Sequence, residues 1–265
     1  MAGVERIELP SKVLETPMLP LYHTPVNIMI LSFFGGCCQI VHLIFIFYYI
    51  IILRKSEFMK IIEPKINTLE PTEFELFDAL IINNSLFEKS PSEKIIFVDK
   101  TFDSCVFKNI DFSNIEFRNV DLIDCIFENC DLSNKIFDNR LIERVKFIDS
   151  RMLGVSFIGT IIKNVTISNC KANYVNFADA SFKNVKIIDT SLIESTFYDT
   201  KVKNLELDKV DFNKVEIIQT NLKDVDFSTS DIHNIRIDNY SLKGIIIDRF
   251  QSQELVRILG VNFKD

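Results

Sequence analysis

An apolar residue occurs at every fifth position from Phe97 to Ile247, through 31 consecutive repeats in a single phase. An α-helix repeats its buried face every 3.6 residues and a strand every two, so neither element alone fits a period of five. An unbroken short period is typical of a repeat architecture, in which each unit buries its apolar residue by stacking on its neighbours. The sequence therefore predicts a solenoid.

Two further positions of the repeat predict its shape. The position two residues before the large apolar residue is mostly small or β-branched, as at Cys105, Val120 and Val145. The position two residues after it, from Ser104 to Gly244, holds Asn, Asp or Gly in 21 of 29 cases, and these residues turn the backbone at little cost. Two inward side chains and one turn per five residues predict a coil of four sides and 20 residues. Eight such coils would form a rod roughly 35 to 40 Å long.

Pentads such as Cys105–Asn109 and Ala180–Asn184 resemble those of the pentapeptide-repeat proteins, whose pattern is small, polar, Leu or Phe, then two polar or turn residues. The resemblance implies an all-β fold, a right-handed quadrilateral parallel β-helix, over residues 97–248. It implies less about function, because one fold hosts many roles.

The cysteines predict neither disulfides nor a metal centre. Four of the six occupy the small inward position, where a free thiol packs as a small hydrophobe. The three histidines do not combine with them in any zinc-binding spacing. We find no catalytic, cofactor-binding or metal-binding motif and expect a chain that is not an enzyme. The four cysteines are Cys105, Cys125, Cys130 and Cys170.

The N-terminal region predicts a membrane anchor. Residues 1–25 read as a disordered tail, and residues 26–53 are apolar over more than the roughly 20 positions that a membrane-spanning helix needs. Residues 54–96 form a juxtamembrane lead-in with a partial first coil. Arg54 and Lys55 follow the apolar segment closely, so the positive-inside rule leaves the repeat domain in the cytoplasm. The alternative is that translation starts at Met59, which would leave a cytoplasmic protein without an anchor.

Residues 249–265 leave the five-residue phase. Their spacing predicts a helix from about Phe250 and then a short strand, which together would cap the open end of the coil. A comparable segment pairs two rods in quinolone-resistance members of the family. By that resemblance Leu255, Ile258 and Leu259 are candidates for homodimerisation, and capping alone is the alternative.

Some residues do not fit the small inward position. Lys135 and Arg140 occupy it in two successive repeats, and we expect a local bulge there with both charged groups turned outward. The full set of misfits is Lys100, Lys135, Arg140, Leu205 and Tyr240.

Two functions are open at this stage. The favoured one is a rigid, non-catalytic scaffold for an unknown protein partner, which would dock on an exposed column of side chains spaced 20 residues apart. The alternative is a DNA mimic that binds DNA gyrase or topoisomerase IV and protects it from quinolones. Residues 97–143 include ten acidic and five basic residues, so this half is acidic. Residues 144–249 include 14 acidic and 15 basic residues. A duplex mimic needs negative charge along its whole length, and direct nucleic-acid binding is not expected. The predicted docking column is Ile158, Ala178, Tyr198 and Ile218.

Overall fold

The computed structural model describes residues 59–75, 77–258 and 260, which wind into a parallel β-solenoid of about eight coils. From Ile81 onward each paired residue meets the residue 20 positions later, as Leu122 meets Ile142, Ile142 meets Ile162, and Ile162 meets Phe182. In the lead-in, Glu70 meets Ser85, which is 15 positions later. The predicted coil of four five-residue sides is therefore confirmed. Its right-handed winding stays a prediction.

We name the four sides by their inward residues. Side A carries Phe117, Phe137 and every twentieth residue onward, and sides B, C and D follow in chain order. Side B includes Leu122 and Ile142, side C includes Phe127 and Phe147, and side D includes Leu132 and Met152. The strands are β1 (Glu70–Pro71), β2 (Ile81–Asn83), β3 (Ser85–Phe87), β4 (Ile95–Val98), β5 (Thr101–Asp103), β6 (Val106–Lys108), β7 (Ile115–Arg118), β8 (Asp121–Glu128), β9 (Leu141–Ile148), β10 (Ile161–Ser168), β11 (Ser181–Ile188), β12 (Thr196–Tyr198), β13 (Lys201–Asp208), β14 (Glu216–Ile218) and β15 (Arg236–Ile237).

The sides differ in local structure. Eight-residue strands run over sides B and C without a break and stack in the order β8, β9, β10, β11, β13. On side D the coils meet through isolated bridges between two-residue turns, which run from Asp111 to Asp231 at 20-residue intervals. Sides B and C are thus ribbons of parallel sheet, and side D is a ladder of short bridges.

The turn position behaves as predicted. Of the 29 residues from Ser104 to Gly244 at this position, 26 have a positive φ, and most are Asn or Asp. Left-handed backbone costs other residues roughly 1 to 2 kcal/mol, which explains the composition of this column. The residues that depart from positive φ are Asn114, Thr229 and Asn239.

The two inward positions form the core. The Phe rings of side A stack on one another, with centroids of Phe137 and Phe157 5.6 Å apart and those of Phe157 and Phe177 5.4 Å apart. The four cysteines in the small position are buried and free, and Cys125 lies one coil after Cys105. Burial raises the pKa of Cys130 and of Cys170 to about 11, so these thiols stay protonated and unreactive at neutral pH.

The expectation of a bulge at Lys135 and Arg140 is wrong. A bulge adds a residue, but Ile136 still pairs with Ser156, and the 20-residue register is kept. Instead, no backbone ladder bond joins 115–119 to 135–139 on side A, although both segments are described. The Lys135 ammonium is half-buried and donates to the carbonyl oxygen of Ile115 at 2.6 Å, so it is not turned out to solvent.

A second interruption lies at another predicted misfit, Leu205. No backbone bond joins 201–208 to 221–228 within the described chain, and the ladder resumes where Asp224 donates to the carbonyl of Gly244. Leu205 is larger than the Val residues at the same place in earlier coils, and it remains half-buried. Both interruptions therefore occur where the small inward position is overfilled.

The lead-in segment crosses several coils. The backbone N–H of Lys65 donates to Asp124 at 2.8 Å, and the N–H of Ile62 lies 3.4 Å from Asn164 Oδ1. Glu63 forms an ion pair with Lys146 between these two points. We call residues 59–66 the strap, because they run along the corner between sides B and C.

The first coil is closed by a misfit lysine. Lys100 turns its ammonium to the carbonyl oxygens of Phe77 and Ala79, both at 2.7 Å. Phe87 and Ile82 are buried, as their five-residue phase predicts. A surface loop follows at Pro91 and Ser92, whose carbonyls accept from the Asn114 side chain at 3.1 and 3.4 Å.

The C-terminal end is capped by a helix from Ser252 to Ile258, which confirms the predicted helix within the described residues. Gln251 closes the last coil, because its amide donates to the carbonyls of Phe227 and Ser230 at 2.8 and 2.6 Å. A four-residue helix, Asn239–Leu242, was not predicted. It places Ser241 in the core and leaves the misfit Tyr240 exposed.

In the part of the chain that the structure describes, no helix is long and apolar enough to cross a membrane. The predicted tail and anchor, residues 1–53, and the predicted C-terminal strand lie outside the described residues.

Candidate partner-binding surface

The four residues of the predicted docking column lie together on side A. Backbone bonds hold their coils in register, with Gly159 donating to Ala178 at 2.9 Å and Asp179 donating to Tyr198 at 2.8 Å. Tyr198 pairs directly with Ile218 in the β12–β14 ladder. Ile158, Ala178 and Ile218 are half-buried, and Tyr198 is 50% exposed. The column is thus a continuous stripe of apolar side chains one residue wide.

Polar groups bound this stripe at both ends and along one edge. Asp138 accepts from the Ser156 hydroxyl at 2.5 Å and from the Ile158 N–H at 3.0 Å. Asp238 caps the short helix at the other end, where it accepts from the Ser241 N–H at 2.8 Å. Ser156, Asn176, Thr196 and Glu216 flank the stripe on side A. The geometry offers a narrow apolar ridge with hydrogen-bonding groups beside it, which suits a protein partner better than a small molecule.

The three dimerisation candidates are placed differently. Leu255 is only 9% exposed and packs into the solenoid core, as capping requires. Ile258 is 38% exposed at the end of the helix, and Leu259 lies outside the described residues. Their role in pairing two rods stays a prediction.

The acidic first half, residues 97–143, is partly compensated by basic side chains. Arg144 makes a bidentate pair with Asp124 at 2.6 and 2.7 Å, and Lys163 binds Glu143 at 2.6 Å. Burial raises the pKa of the Asp124 carboxyl, but its bonds to Arg144 and to the Lys65 N–H outweigh this effect and hold the pKa below its usual range. Five of the ten acidic side chains of residues 97–143 are in ion pairs, and the other five are in none within the described chain. The paired ones are Glu116, Asp124, Glu128, Asp131 and Glu143.

A column of lysines was missed by the sequence reasoning. Lysine follows the inward residue of side B in five successive coils, and the same 20-residue spacing that revealed the apolar column would have found it. Lys163 pairs with Lys183, and Lys183 with Lys203, in the strand register. The five residues are Lys163, Lys183, Lys203, Lys223 and Lys243.

The described residues form open clefts and no cluster of metal ligands. No group of three or more His, Cys, Asp or Glu side chains within residues 59–75, 77–258 and 260 is arranged to hold a metal ion. The clefts are open to solvent, and one of about 550 Å³ lies at the interruption of side A, between Glu116 and Lys135.

Two family models match this repeat. The model described as "Pentapeptide repeats (8 copies)" matches residues 101–134, and the "Pentapeptide repeat region" model matches residues 120–197. Five-residue sides, a turn column in the left-handed region and a parallel 20-residue register define the class of quadrilateral solenoids. Residues 101–197 of the chain are pentapeptide repeats, the repeat of the pentapeptide-repeat family.

Solved structures of the same class show low similarity. The full-length structure of QnrB1, a plasmid-mediated fluoroquinolone resistance protein, is 18% identical over 68% of this chain and 100% of its own, with a TM-score of 0.31. A trypsin-treated QnrB1 variant is 21% identical over 70% of this chain and 92% of its own, with a TM-score of 0.39. HetL from Nostoc sp. strain PCC 7120, involved in heterocyst differentiation regulation, is 11% identical over 63% and 89%, with a TM-score of 0.23. No curated protein matches the chain. The family assignment rests on the repeat and the family models, and none of these similarities carries an argument about function.

Proposed function

We propose that the chain is a rigid, non-catalytic scaffold that docks a protein partner on the apolar stripe of side A. The supporting observation is the unbroken run of Ile158, Ala178, Tyr198 and Ile218 in register, with an exposed aromatic at its centre. Tyrosine is enriched at the centres of protein interfaces because it combines apolar area with a hydrogen-bonding group. Pentapeptide-repeat proteins are generally non-catalytic, which agrees with this role.

Photo-crosslinking tests the docking surface directly. A benzoyl-phenylalanine at position 198 of the full chain should capture a specific partner or a second copy of the rod in cells. The matched control is the same probe at Ile148, which is also half-buried just after an inward residue but lies on side C. Capture from position 148 alone, or equal capture from both, contradicts the proposal.

A double substitution tests whether the stripe is needed. Tyr198→Glu with Ile218→Lys should abolish partner retention while the midpoint of unfolding shifts by only a few degrees. Ile148→Lys with Ile188→Glu on side C is the control and should leave retention intact. If binding survives the first double change in a folded protein, the stripe is not the docking surface.

We further propose that residues 26–53 anchor the rod to the cytoplasmic membrane, with the solenoid in the cytoplasm. The support is the length of this apolar segment and the basic residues after it. Fractionation of cells that express a C-terminally tagged full-length chain tests it, with recovery in the membrane fraction expected. Recovery of only a soluble product that begins at Met59 would show that translation starts there.

The DNA-mimic alternative has weaker support. A mimic of duplex DNA needs a dense row of unpaired negative charge, whereas Asp124 and Glu143 are paired with basic side chains and the second half carries the lysine column. Retention of DNA gyrase or topoisomerase IV by the tagged chain, with loss of retention on charge reversal of acidic residues in 97–143, would favour the alternative.

A further inference from the structure

The lysine column includes several positive charges with no partner in the described chain. We define the lysine face as Lys183, Lys201, Lys203, Lys223 and Lys243, all on side B. All five are exposed, and none makes an ion pair with a described residue. From Ile161 onward, the only acidic residue on side B or at the corner after it is Asp224, in a chain whose net charge is −7. Asp179 and Asp199 lie at the corner before it.

Elsewhere in the described solenoid the same charge recurs in at most two successive coils, as where Asp111 pairs with Asp131 and Arg151 with Lys171 on side D. Where a lysine occurs elsewhere, the neighbouring coil commonly supplies a carboxylate, as Glu143 does for Lys163 and Glu194 does for Lys214. Like charges directly opposite each other in a sheet are destabilising, so a run of lysines in adjacent coils works against the fold. A surface that carries this cost is a candidate for recognition of an anionic partner.

The geometry of the lysine face suits a flat anionic surface. Lys183 and Lys203 are direct partners in the β11–β13 ladder, about 4.8 Å apart. Lys223 and Lys243 lie on the same side beyond the interruption after β13, and Lys243 is the C-cap of the short helix. The charges are lysines rather than arginines, and an ammonium is a hydrated point charge on a flexible stem without the planar fork that fixes a phosphate. Mobile lipid headgroups make no demand for fixed geometry.

The strap brings the chain to this side of the rod. The N–H of Ile62 lies 3.4 Å from Asn164 Oδ1, next to Lys163 at the corner of sides B and C. Met59 is therefore close in sequence to a contact beside the lysine face. Under the proposed anchoring, the apolar segment ends at Leu53, six residues before Met59, and an extended chain of that length spans about 20 Å at most.

We propose that the lysine face of side B binds the anionic phospholipid headgroups of the membrane, so that the rod lies along the bilayer. This inference rests on the proposed membrane anchoring for its source of lipid. The column is a separate surface from the apolar stripe, because side B and side A are neighbouring faces of the coil. The stripe then remains open to a protein partner.

Lysine footprinting of the full chain tests the proposal. The chain is reconstituted in nanodiscs of phosphatidylcholine alone and of phosphatidylcholine with one third phosphatidylglycerol, and lysine acetylation rates are read by mass spectrometry. The rates at Lys183 and Lys203 should fall several-fold in the anionic discs and recover at high salt. Lys171, exposed and without an ion pair on the opposite side D, is the internal control and should not change.

Matched variants separate charge from packing. Lys183→Gln with Lys203→Gln should lower the phosphatidylglycerol-dependent protection of Lys223 and Lys243 by at least fivefold, since each lysine near an anionic membrane contributes about fivefold in binding. The charge-retaining pair Lys183→Arg with Lys203→Arg should keep the protection.

Several outcomes overturn the proposal. They are equal acetylation rates in both kinds of disc, equal protection at Lys171, and protection by added duplex DNA but not by phosphatidylglycerol. If the chain does not enter phosphatidylcholine discs, the proposed membrane anchoring is rejected. Acetylation of the lysine face is then measured with added vesicles of the same two compositions. Protection at Lys183 and Lys203 by the anionic vesicles then supports the face independently of the anchor, and its absence rejects it.

Discussion

Successive coils of the same repeat meet in two different ways. One is seen in the paired region from Leu141 to Ile188, and the other at the junction on side A between residues 115–119 and 135–139. In the first region β9, β10 and β11 pair along their length. At the junction, side A has lost its ladder while side D still bridges Asp111 to Asp131. The coil register is therefore set by the whole perimeter, and one side can open without shifting it.

The difference traces to the small inward position. Val145, Val165 and Val185 fill it in the paired region and are fully buried. At the junction Lys135 stands there, and its ammonium takes the Ile115 carbonyl that the next coil's backbone would otherwise use. The Val side chains that fit keep the strands at ladder distance, whereas Lys135 and Leu205 each lie at an open side. A misfit does not open its side in every case, since the Asp121 N–H donates to the Lys100 carbonyl at 3.0 Å.

The largest expected effect is the loss of a Phe from the paired region. Phe157→Ala and Phe182→Ala should each destabilise residues 59–265 by about 3 to 5 kcal/mol, because tightly held neighbours leave a cavity. Phe117→Ala, at the open side, should cost about 1 kcal/mol less, since its neighbours are freer to close in. Denaturant unfolding followed by circular dichroism measures all three. Equal losses at Phe117 and Phe157 would mean that the open side is as rigid as the paired one.

The next effect is a gain. Lys135→Val should stabilise the solenoid by about 1 to 2 kcal/mol, because it removes a half-buried charge and frees the Ile115 carbonyl for a ladder bond. Hydrogen exchange of the Ile136 amide provides a second readout and should slow. The reverse change, Val155→Lys in a paired coil, is the control and should destabilise strongly. A loss of stability on Lys135→Val would mean that the lysine is required to hold the junction.

The stability gained by replacing Lys135 with an apolar residue should depend on pH. Burial lowers the pKa of Lys135, so the unfolded chain binds the proton more tightly than the folded one. Stability of the native protein then rises as the pH passes from the lowered folded pKa toward the ordinary lysine pKa of about 10.4, and the cost of the charge is fully present below that window. Lys135→Met should therefore show its largest advantage at neutral pH and a smaller one near pH 10.

Much of this could be read from the sequence because the period leaves little freedom. The five-residue phase located the core, and the Asn and Asp column located the turns, including Asn184 and Asp179 at positive φ. The misfits were located too, but not their consequence. Whether Lys135 turns outward or takes a carbonyl depends on the neighbouring coil, which is 20 residues away and invisible to a local pattern.

The candidate surfaces divide in the same way. The apolar column could be predicted because side-chain spacing alone brings Tyr198 beside Ile218. The state of the acidic half could not, because the pairing of Asp124 with Arg144 depends on side-chain conformation. The strap was also beyond reach, since its contact with Asn164 spans 102 residues and follows no repeat.

A smaller effect is expected at the turn column. Asn184→Ala should cost about 1 to 1.5 kcal/mol, because alanine is strained at φ 56° and the amide bonds to Asn164 and Asn204 are lost. Asn184→Gly keeps the backbone conformation, loses only the amide bonds, and should cost less. If the Gly variant is the less stable of the two, the amide ladder rather than the backbone conformation decides the preference for Asn.

The smallest effect is expected for a charge that lies outside the inward columns. Lys203→Gln should change stability by less than about half a kcal/mol, with a slight gain at low salt because Lys183 then loses a like-charged neighbour. Lys203 sits in the paired β13 strand, and its side chain is exposed, so its charge opens no side of the coil. Unfolding at low and high salt measures the difference, which should vanish as salt screens the repulsion. A loss as large as that of Phe157→Ala would show that the lysine column supports the fold itself. A near-zero change in the free energy of unfolding would mean that Lys135 disturbs the ladder because of its inward position, since Lys203 carries the same charge without that effect.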